Sequence, residues 1–252
     1  MGTEQIIFHT AIIGAGAAGL FCAGSFDKRK IVLEQNEKPA LKLGVSGGGK
    51  CNFSNRLLSA NDYVSASPHF CKNALSAFTP QDFTALLDEN HIPYEERSDG
   101  QLFAFDAREI VRFLTARAKK ANSIIQTGAR VQNVLKQDGL FILHTTRGTF
   151  RAQHVVLATG GLSFPDLGGG MSGTKIAQTL GLSVEPQRPA LCGLFLPKAL
   201  RTQFCPLAGN SVRAEVKTGK AHFTGNLLFT HEGFSGPAVL NASLYWQEGK
   251  EV

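Results

Sequence analysis

The chain has 252 residues, 43% apolar and 18% charged, enough to bury a full core and too apolar for a disordered chain. Its net charge is +6, yet the longest basic run is Lys28-Arg29-Lys30, so no nucleic-acid footprint is expected, and no stretch approaches the ~20 apolar residues of a membrane span. Five cysteines, odd in number and without a C-x-x-C pair, do not resemble a disulfide scaffold, and with no signal peptide visible they point to a reducing, cytoplasmic setting.

Ile6 to Ile13 is apolar and β-branched and reads as a buried strand. The glycine turn Gly14-Ala15-Gly16-Ala17-Ala18-Gly19 follows, and Ala17 to Phe26 carries the small apolar residues of a closely packed helix. Ile31-Val32-Leu33-Glu34 is a second strand, completing a βαβ unit whose crossover should be right-handed. Gly44 to Asn55 is a glycine-rich loop without periodicity. Thr79-Pro80-Gln81-Asp82 is a capped helix start, with Phe83, Leu86 and Leu87 as its buried face. Arg108 to Lys120 is a further helix with Ile110, Val111, Leu114 and Ala118 on one stripe. Short strands are expected at Ile124 to Gln126, Val131 to Leu135, Phe141 to Thr145 and Thr149 to Arg151. A last one, His154 to Leu157, runs into Ala158-Thr159-Gly160-Gly161, which makes a β-rich crossover back to the first sheet. Ser172 to Leu180 reads as a helix, and from about Pro189 the chain changes to short β-like pieces. The fold class is therefore α/β: a Rossmann-type domain over 1–188 and a mainly β domain over 189–252.

The glycine turn has a mechanical reading. Gly14 permits the tight turn, Gly16 lets backbone approach a pyrophosphate, and Gly19 lets helix and strand pack closely. The helix start supplies free N–H groups and the positive end of a dipole. Glu34 closes the second strand 20 residues after Gly14, where a carboxylate accepts from ribose hydroxyls and disfavours a 2′-phosphate. The turn alone does not separate NAD from FAD. The later passage Val155-Val156-Leu157-Ala158-Thr159-Gly160-Gly161 tips the reading toward FAD, because it returns a strand ending in small residues beside the cofactor.

Gly44-Val45-Ser46-Gly47-Gly48-Gly49-Lys50-Cys51 comes close to a P-loop, but its last position is a thiol, a poor ligand for Mg²⁺, and no buried strand precedes it. It reads instead as backbone N–H groups and a lysine laid along a cofactor. Metal sites are not expected, since there is neither H-E-x-x-H nor a cysteine pair.

Four stretches in order carry a resemblance. They are Ile12 to Leu20, Ser46-Gly47-Gly48-Gly49-Lys50-Cys51-Asn52-Phe53-Ser54-Asn55, Ala158 to Pro165, and Leu228-Phe229-Thr230-His231-Glu232-Gly233-Phe234-Ser235-Gly236-Pro237. Together they resemble the YhiN/BaiN-like flavoproteins, also labelled the aminoacetone oxidase family. The resemblance implies FAD as cofactor, oxidoreductase chemistry on a small organic substrate and an inserted substrate-side domain; NAD(P)H or O2 is the expected redox partner of such chemistry. It implies that Ser46 to Asn52 line the flavin and that Gly160 and Gly161 lie near it. The cofactor-binding set is then Gly14, Ala15, Gly16, Ala17, Ala18, Gly19, Glu34, Ser46, Gly47, Gly48, Lys50, Cys51, Asn52, Val131, Thr159, Gly160 and Gly161. Two positions depart from the family pattern: Gln101 stands where a basic residue is usual, and Ala104 where proline is usual. A late glycine-rich stretch that closes over the flavin in the family has no counterpart before Val252, so the chain resembles a truncated member.

His231, in a glycine-bounded loop, is the candidate for proton transfer, balanced against a merely structural turn residue. Cys51 is either an activated thiol beside Lys50 or a small packing residue. Two other functions stay open at this point: an inactive flavin- or nucleotide-binding remnant, and an NAD-binding module.

Overall fold

The structure is a computed structural model that describes residues 6–67, 69–247 and 249–250. Strand β1 (Ile7–Ile13) leads through the glycine turn into helix α1 (Ala17–Ala23), and β2 (Lys30–Leu33) then pairs with β1 in parallel, Ile12 opposite Val32. Helix α1 stops at Gly24, where a Cβ would lie 2.8 Å from the Arg117 side chain, so close packing sets its length. The segment from Gly44 to Asn55, expected as a loop without periodicity, holds the end of α2 (Leu41–Val45), one 3-10 turn over Ser46–Gly49 and strand β3 (Asn52–Asn55). The absence of periodicity hid elements too short to show any.

Helix α3 (Lys72–Ala77) precedes α4 (Pro80–Glu89), whose start is the expected capping box. The Asp82 N–H donates to the Thr79 hydroxyl, and the Thr79 N–H donates to the Asp82 carboxylate at 2.7 Å. β4 (Tyr94–Glu96) and β5 (Gln101–Ala104) join β3 in a small antiparallel sheet ordered β3-β5-β4. Helix α5 (Ala107–Lys120) is capped by Asp106, which accepts from the Arg108 N–H at 2.8 Å.

β6 (Ser123–Gln126) then pairs in parallel with β2, and β7 (Val131–Gln137) and β8 (Leu140–Thr145) form an antiparallel hairpin. β9 (Gly148–Leu157) is one ten-residue strand where the sequence suggests two. Its first half pairs antiparallel with β8, and Arg151 to Leu157 pair parallel with β1, so one strand joins the two halves of a six-stranded sheet ordered β6-β2-β1-β9-β8-β7. Helix α6 (Ser172–Thr179) follows.

Strand alternation divides the core between the faces of this sheet. Ile12 and Val32 pack with Leu20 and Ala23 of α1 and with Ile110, Leu114 and Ala118 of α5. Ala11, Ile13, Ile31 and Leu33 pack with Val134, Leu143 and Ile176 on the other side. Each fully buried aliphatic side chain among these contributes about 1.5–3 kcal/mol relative to exposure. This is a Rossmann-type α/β fold with a mixed sheet.

The chain forms two compact units, one of residues up to Ser59 with Lys72–Val184, the other of Ala60–Cys71 with residues from Glu185 on. The second unit contains β10 (Leu194–Phe195), α7 (Lys198–Phe204), β11 (Ser211–Thr218), β12 (Ala221–Phe229), β13 (Gly233–Ser235) and α8 (Pro237–Ser243). Its sheet runs β10-β13-β12-β11, and Ala238, Val239 and Ala242 of α8 pack on Val216. Helix α8 starts at Pro237 directly after Gly236, a helix-opening signal inside what the sequence suggests is mainly β.

Candidate functional site

The carboxyl ends of β1, β2 and β9 meet at one edge of the parallel sheet, the place where open α/β sheets bind ligands. The three glycines of the first turn differ in their surroundings there. Gly14 has φ +106°, and a Cβ on it would collide with the Ala158 carbonyl at the exit of β9. A Cβ on Gly19 would collide with the Gly14 carbonyl. Around Gly16 a Cβ would meet nothing within 4 Å, and Ala17 and Ala18 beyond it are exposed. Two glycines thus close the strand–helix joint while the third faces open space, beside the first helical N–H groups that have no intrahelical acceptor.

Glu34 stands one residue past β2 and is buried, 6% exposed. Its Oε2 accepts from the Ala15 N–H at 2.8 Å, and its Oε1 accepts from both the main-chain and side-chain N–H of Asn36 at 2.9 Å. The Ala15 carbonyl in turn accepts from the Ala40 N–H at 2.9 Å. One residue of the glycine turn, Ala15, therefore fastens the end of β2 on one side and the start of α2 on the other. Asn36 also donates to the Leu167 carbonyl, and Gln35 to the Gly168 carbonyl at 2.7 Å, which ties in the loop after β9. Sequence reasoning missed Gln35 and Asn36; their only signal is adjacency to the acid.

The loop after α2 is built from left-handed backbone. Gly47, Gly48 and Gly49 have φ of +58°, +68° and +87°, and Cys51 itself +54°. A Cβ on Gly47 would lie 2.8 Å from the Phe103 ring, whereas around Gly48 and Gly49 there is open space. Ser46 donates to the Leu43 carbonyl at 2.8 Å, and Asn52 opens β3, exposed. Cys51 is fully buried, and burial pushes its thiol pKa up against the opposing pull of the Ser46 hydroxyl. Lys50 points to Glu95, 3.7 Å away. Of the two readings of Cys51, the packing residue fits this geometry, and the thiol activated by Lys50 does not. A strand follows Lys50, not the helix that a P-loop requires.

The second glycine passage lies alongside. Thr159 packs against Gly173 at the start of α6, and Gly160, at φ +75°, is exposed with open space around it. Gly161 accepts from the Gly170 N–H at 2.9 Å. Ser163 accepts from the Lys42 ammonium at 3.3 Å, so α2 and the loop after β9 touch. Val131 starts β7 and packs with the sheet face that carries Leu143 and Ile176, away from these glycines in the sheet order. In the second unit, His231 is exposed in the turn between β12 and β13. That turn is held by Thr230, whose N–H and hydroxyl both donate to the Gly233 carbonyl, at 2.8 and 3.0 Å. Among the described residues no group of three or more His, Cys, Asp or Glu is placed to hold a metal, and no helix is long and apolar enough to cross a membrane.

Comparison with known proteins adds to this geometry. The HI0933-like protein Rossmann domain, a family defined by sequence, matches residues 8–238. The chain is 42% identical over 250 residues to the ribosomal RNA dihydrouridine synthase of Escherichia coli K12, covering 97% of this chain and 62% of that protein. The protein of the same name from Haemophilus influenzae is 38% identical over 251 residues, at 96% and 62% coverage. The 3-dehydro-bile acid delta(4,6)-reductase of Clostridium scindens is 29% identical over 262 residues, again at 96% and 62%. The chain thus spans 62% of the length of each of these relatives.

Proposed function

The chain belongs to the HI0933-like protein Rossmann domain family, and on that premise we propose that it binds FAD and serves an FAD-dependent oxidoreductase of the YhiN/BaiN type. The observation that carries this reading is the asymmetry of the glycine turn: Gly14 and Gly19 are closed by backbone, and Gly16 opens on free space beside the helix start. A phosphate pair fits where a side chain at Gly16 would otherwise stand, and Glu34 stands at the end of the neighbouring strand for the ribose. Gly48 and Gly49 after α2, and Gly160 after β9, leave further open backbone.

When bound, the flavin supplies a hydride. The chain's residues bind and orient: the turn holds the pyrophosphate, and Ser46 to Asn52 with Thr159 to Gly161 face the ring. Residues 189–252 act as the substrate-side domain, with His231 delivering a proton. Val131 stays in the cofactor set only as an expectation inherited from the family resemblance.

For the substrate we propose a carbon–carbon double bond conjugated to a carbonyl. Dihydrouridine differs from uridine by two hydrogens across C5–C6, so forming it consumes one hydride and one proton, with NAD(P)H as the source of electrons. The names of the 42% and 38% relatives favour a uracil base in ribosomal RNA, a departure from the expected small-molecule substrate and from the expected absence of nucleic acid. The bile-acid reductase relative favours a free small molecule with the same conjugated chemistry, which is the second reading. A cytoplasmic setting suits both.

Purified chain incubated with FAD, then desalted, should retain visible flavin absorption, and the released flavin should be FAD. A colourless protein that takes up NAD but no FAD would overturn the reading. Supplied with NAD(P)H and unmodified ribosomal RNA, the loaded protein should raise one uridine by the mass of two hydrogens.

A further inference from the structure

Beside the glycine loop lies a charged group of which the cofactor reading uses only Lys50. Glu95, on β4, receives two cations on the same oxygen: Lys50 at 3.7 Å and Arg97 at 3.4 Å. The Arg97 guanidinium carbon lies over the Phe103 ring, 3.6 Å from its centre, and the Phe103 ring also abuts Gly47. Arg97 is therefore fixed in two directions, by the ring and by a carboxylate. Its side chain remains 46% exposed, and that of Lys50 49%. The turn from Arg97 to Gln101 is closed by the Arg97 N–H on the Gln101 carbonyl at 2.9 Å and the Gly100 N–H on the Arg97 carbonyl at 2.9 Å, so the base of the side chain is held as well.

We propose that Arg97, held by Phe103 and Glu95 beside the Ser46–Lys50 loop, is a binding residue for a backbone phosphate of an RNA substrate. This rests on the reading of the chain as an RNA-acting flavoprotein. Two cations sharing one carboxylate leave one positive charge among these three side chains, while the Asp99 carboxylate in the same turn accepts from the Gln101 N–H. A guanidinium over an aromatic face keeps its N–H donors, and those that Glu95 does not take suit paired hydrogen bonds to phosphate oxygens. The dinucleotide's own phosphates are already provided for at Gly16, so this second anion position falls to the substrate. Phosphate contacts fix where a nucleic acid sits without reading its bases, and here they would present one nucleotide to the loop that faces the flavin ring. Glu95 is a positioning residue: it orients Arg97 and competes with the phosphate for it.

The test uses the full chain loaded with FAD and a fluorescein-labelled single-stranded RNA 15-mer, with anisotropy read across a salt series. Each phosphate neutralised adds about 0.7 to the slope of log K against log salt for single strands. Arg97→Ala should lower that slope by about 0.7 and weaken binding severalfold at low salt. Glu95→Gln, which removes the competing charge, should bind the same RNA more tightly, a gain that misfolding does not produce. Wild-type binding with an unchanged slope in Arg97→Ala, or no gain in Glu95→Gln, overturns this assignment and leaves the RNA reading intact. Absence of any wild-type RNA binding at low salt overturns the RNA reading itself. An Arg97→Ala defect confined to flavin reduction by NADPH would place the nicotinamide cofactor's phosphate there instead and also overturn the assignment.

Discussion

The three glycines of the first turn give a prediction in which stability and ligand binding separate. Gly16 has φ −77° and ψ −171°, an extended conformation open to any residue, and its Cβ direction is empty. Gly16→Val should therefore fold, with stability within about 0.5 kcal/mol of wild type, the usual range for a substitution that meets nothing. It should nevertheless abolish FAD retention, because the isopropyl group occupies the space assigned to the phosphates. Gly19→Ala does the reverse. Its methyl is driven into the Gly14 carbonyl, and helix and strand must part to admit it, an overpacking cost of about 1–3 kcal/mol. At about 2–4 °C per kcal/mol for a chain of this size, that lowers the Tm by several degrees. Gly14→Ala adds left-handed strain at φ +106° to a collision with Ala158, so it should be at least as damaging. Thermal melts of the apoproteins and flavin absorption after desalting measure the two effects. Full flavin retention in Gly16→Val, or an unaltered melt in Gly19→Ala, would refute the division of roles.

Other substitutions test other parts of the structure. Lys30 is fully buried, its ammonium donating to the carbonyls of Phe26, Lys28 and Ala121 and lying 4.1 Å from the centre of the Phe26 ring. Lys30→Met leaves those carbonyls without their donor, at about 1–3 kcal/mol for each that water does not reach; a urea midpoint equal to wild type would show that the network contributes nothing. Because burial holds the Cys51 thiol pKa above its unfolded value, its contribution to stability is complete below about pH 8.5 and is lost as pH rises through the folded value. The alkaline fall in Tm should be shallower in Cys51→Ala, and native Cys51 should resist iodoacetamide at neutral pH; rapid labelling would contradict the packing role. His231→Gln should cut kcat by about 100-fold or more if the imidazole delivers the proton, and an unchanged pH–rate profile would remove it from the mechanism.

The parts of this fold that were legible in the sequence depend on local chemistry. The β1–α1–β2 unit is fixed by apolar runs around a glycine turn, the α4 start by a reciprocal Thr79–Asp82 cap, and α5 by its apolar stripe. What was not legible depends on partners distant in sequence. Lys30 reads as the end of a basic surface run, yet three carbonyls, one of them Ala121, make it an interior residue. β9 reads as two strands, Thr149 to Arg151 and His154 to Leu157, with Ala152 and Gln153 between them; its continuity comes from pairing with β8 at one end and β1 at the other. The membership of Ala60–Cys71 in the second unit has no sequence signal at all. At the site, the glycines and Glu34 were visible as spacing. The pairing of Lys50 with Arg97 through Glu95 was not, since the three residues lie on different elements.

Glu34 shows why the site's acid cannot be understood as a ribose ligand alone. An ionised carboxylate offers about four acceptor positions, and three are taken: one by the Ala15 N–H and two by Asn36. One ribose hydroxyl can be added with every existing bond kept. A second requires Asn36 to release one of its two bonds, and its side chain has somewhere to go, since it already donates to the Leu167 carbonyl. The same carboxylate that receives the cofactor thus anchors the glycine turn through Ala15, and through Asn36 it is coupled to the loop after β9. Replacing it with an apolar residue would leave the buried Ala15 N–H without an acceptor and loosen the turn before any ligand arrives. Loss of cofactor in such a variant would therefore report on the turn as much as on the ribose, which is why Gly16, and not Glu34, is the residue on which the cofactor reading is best tested.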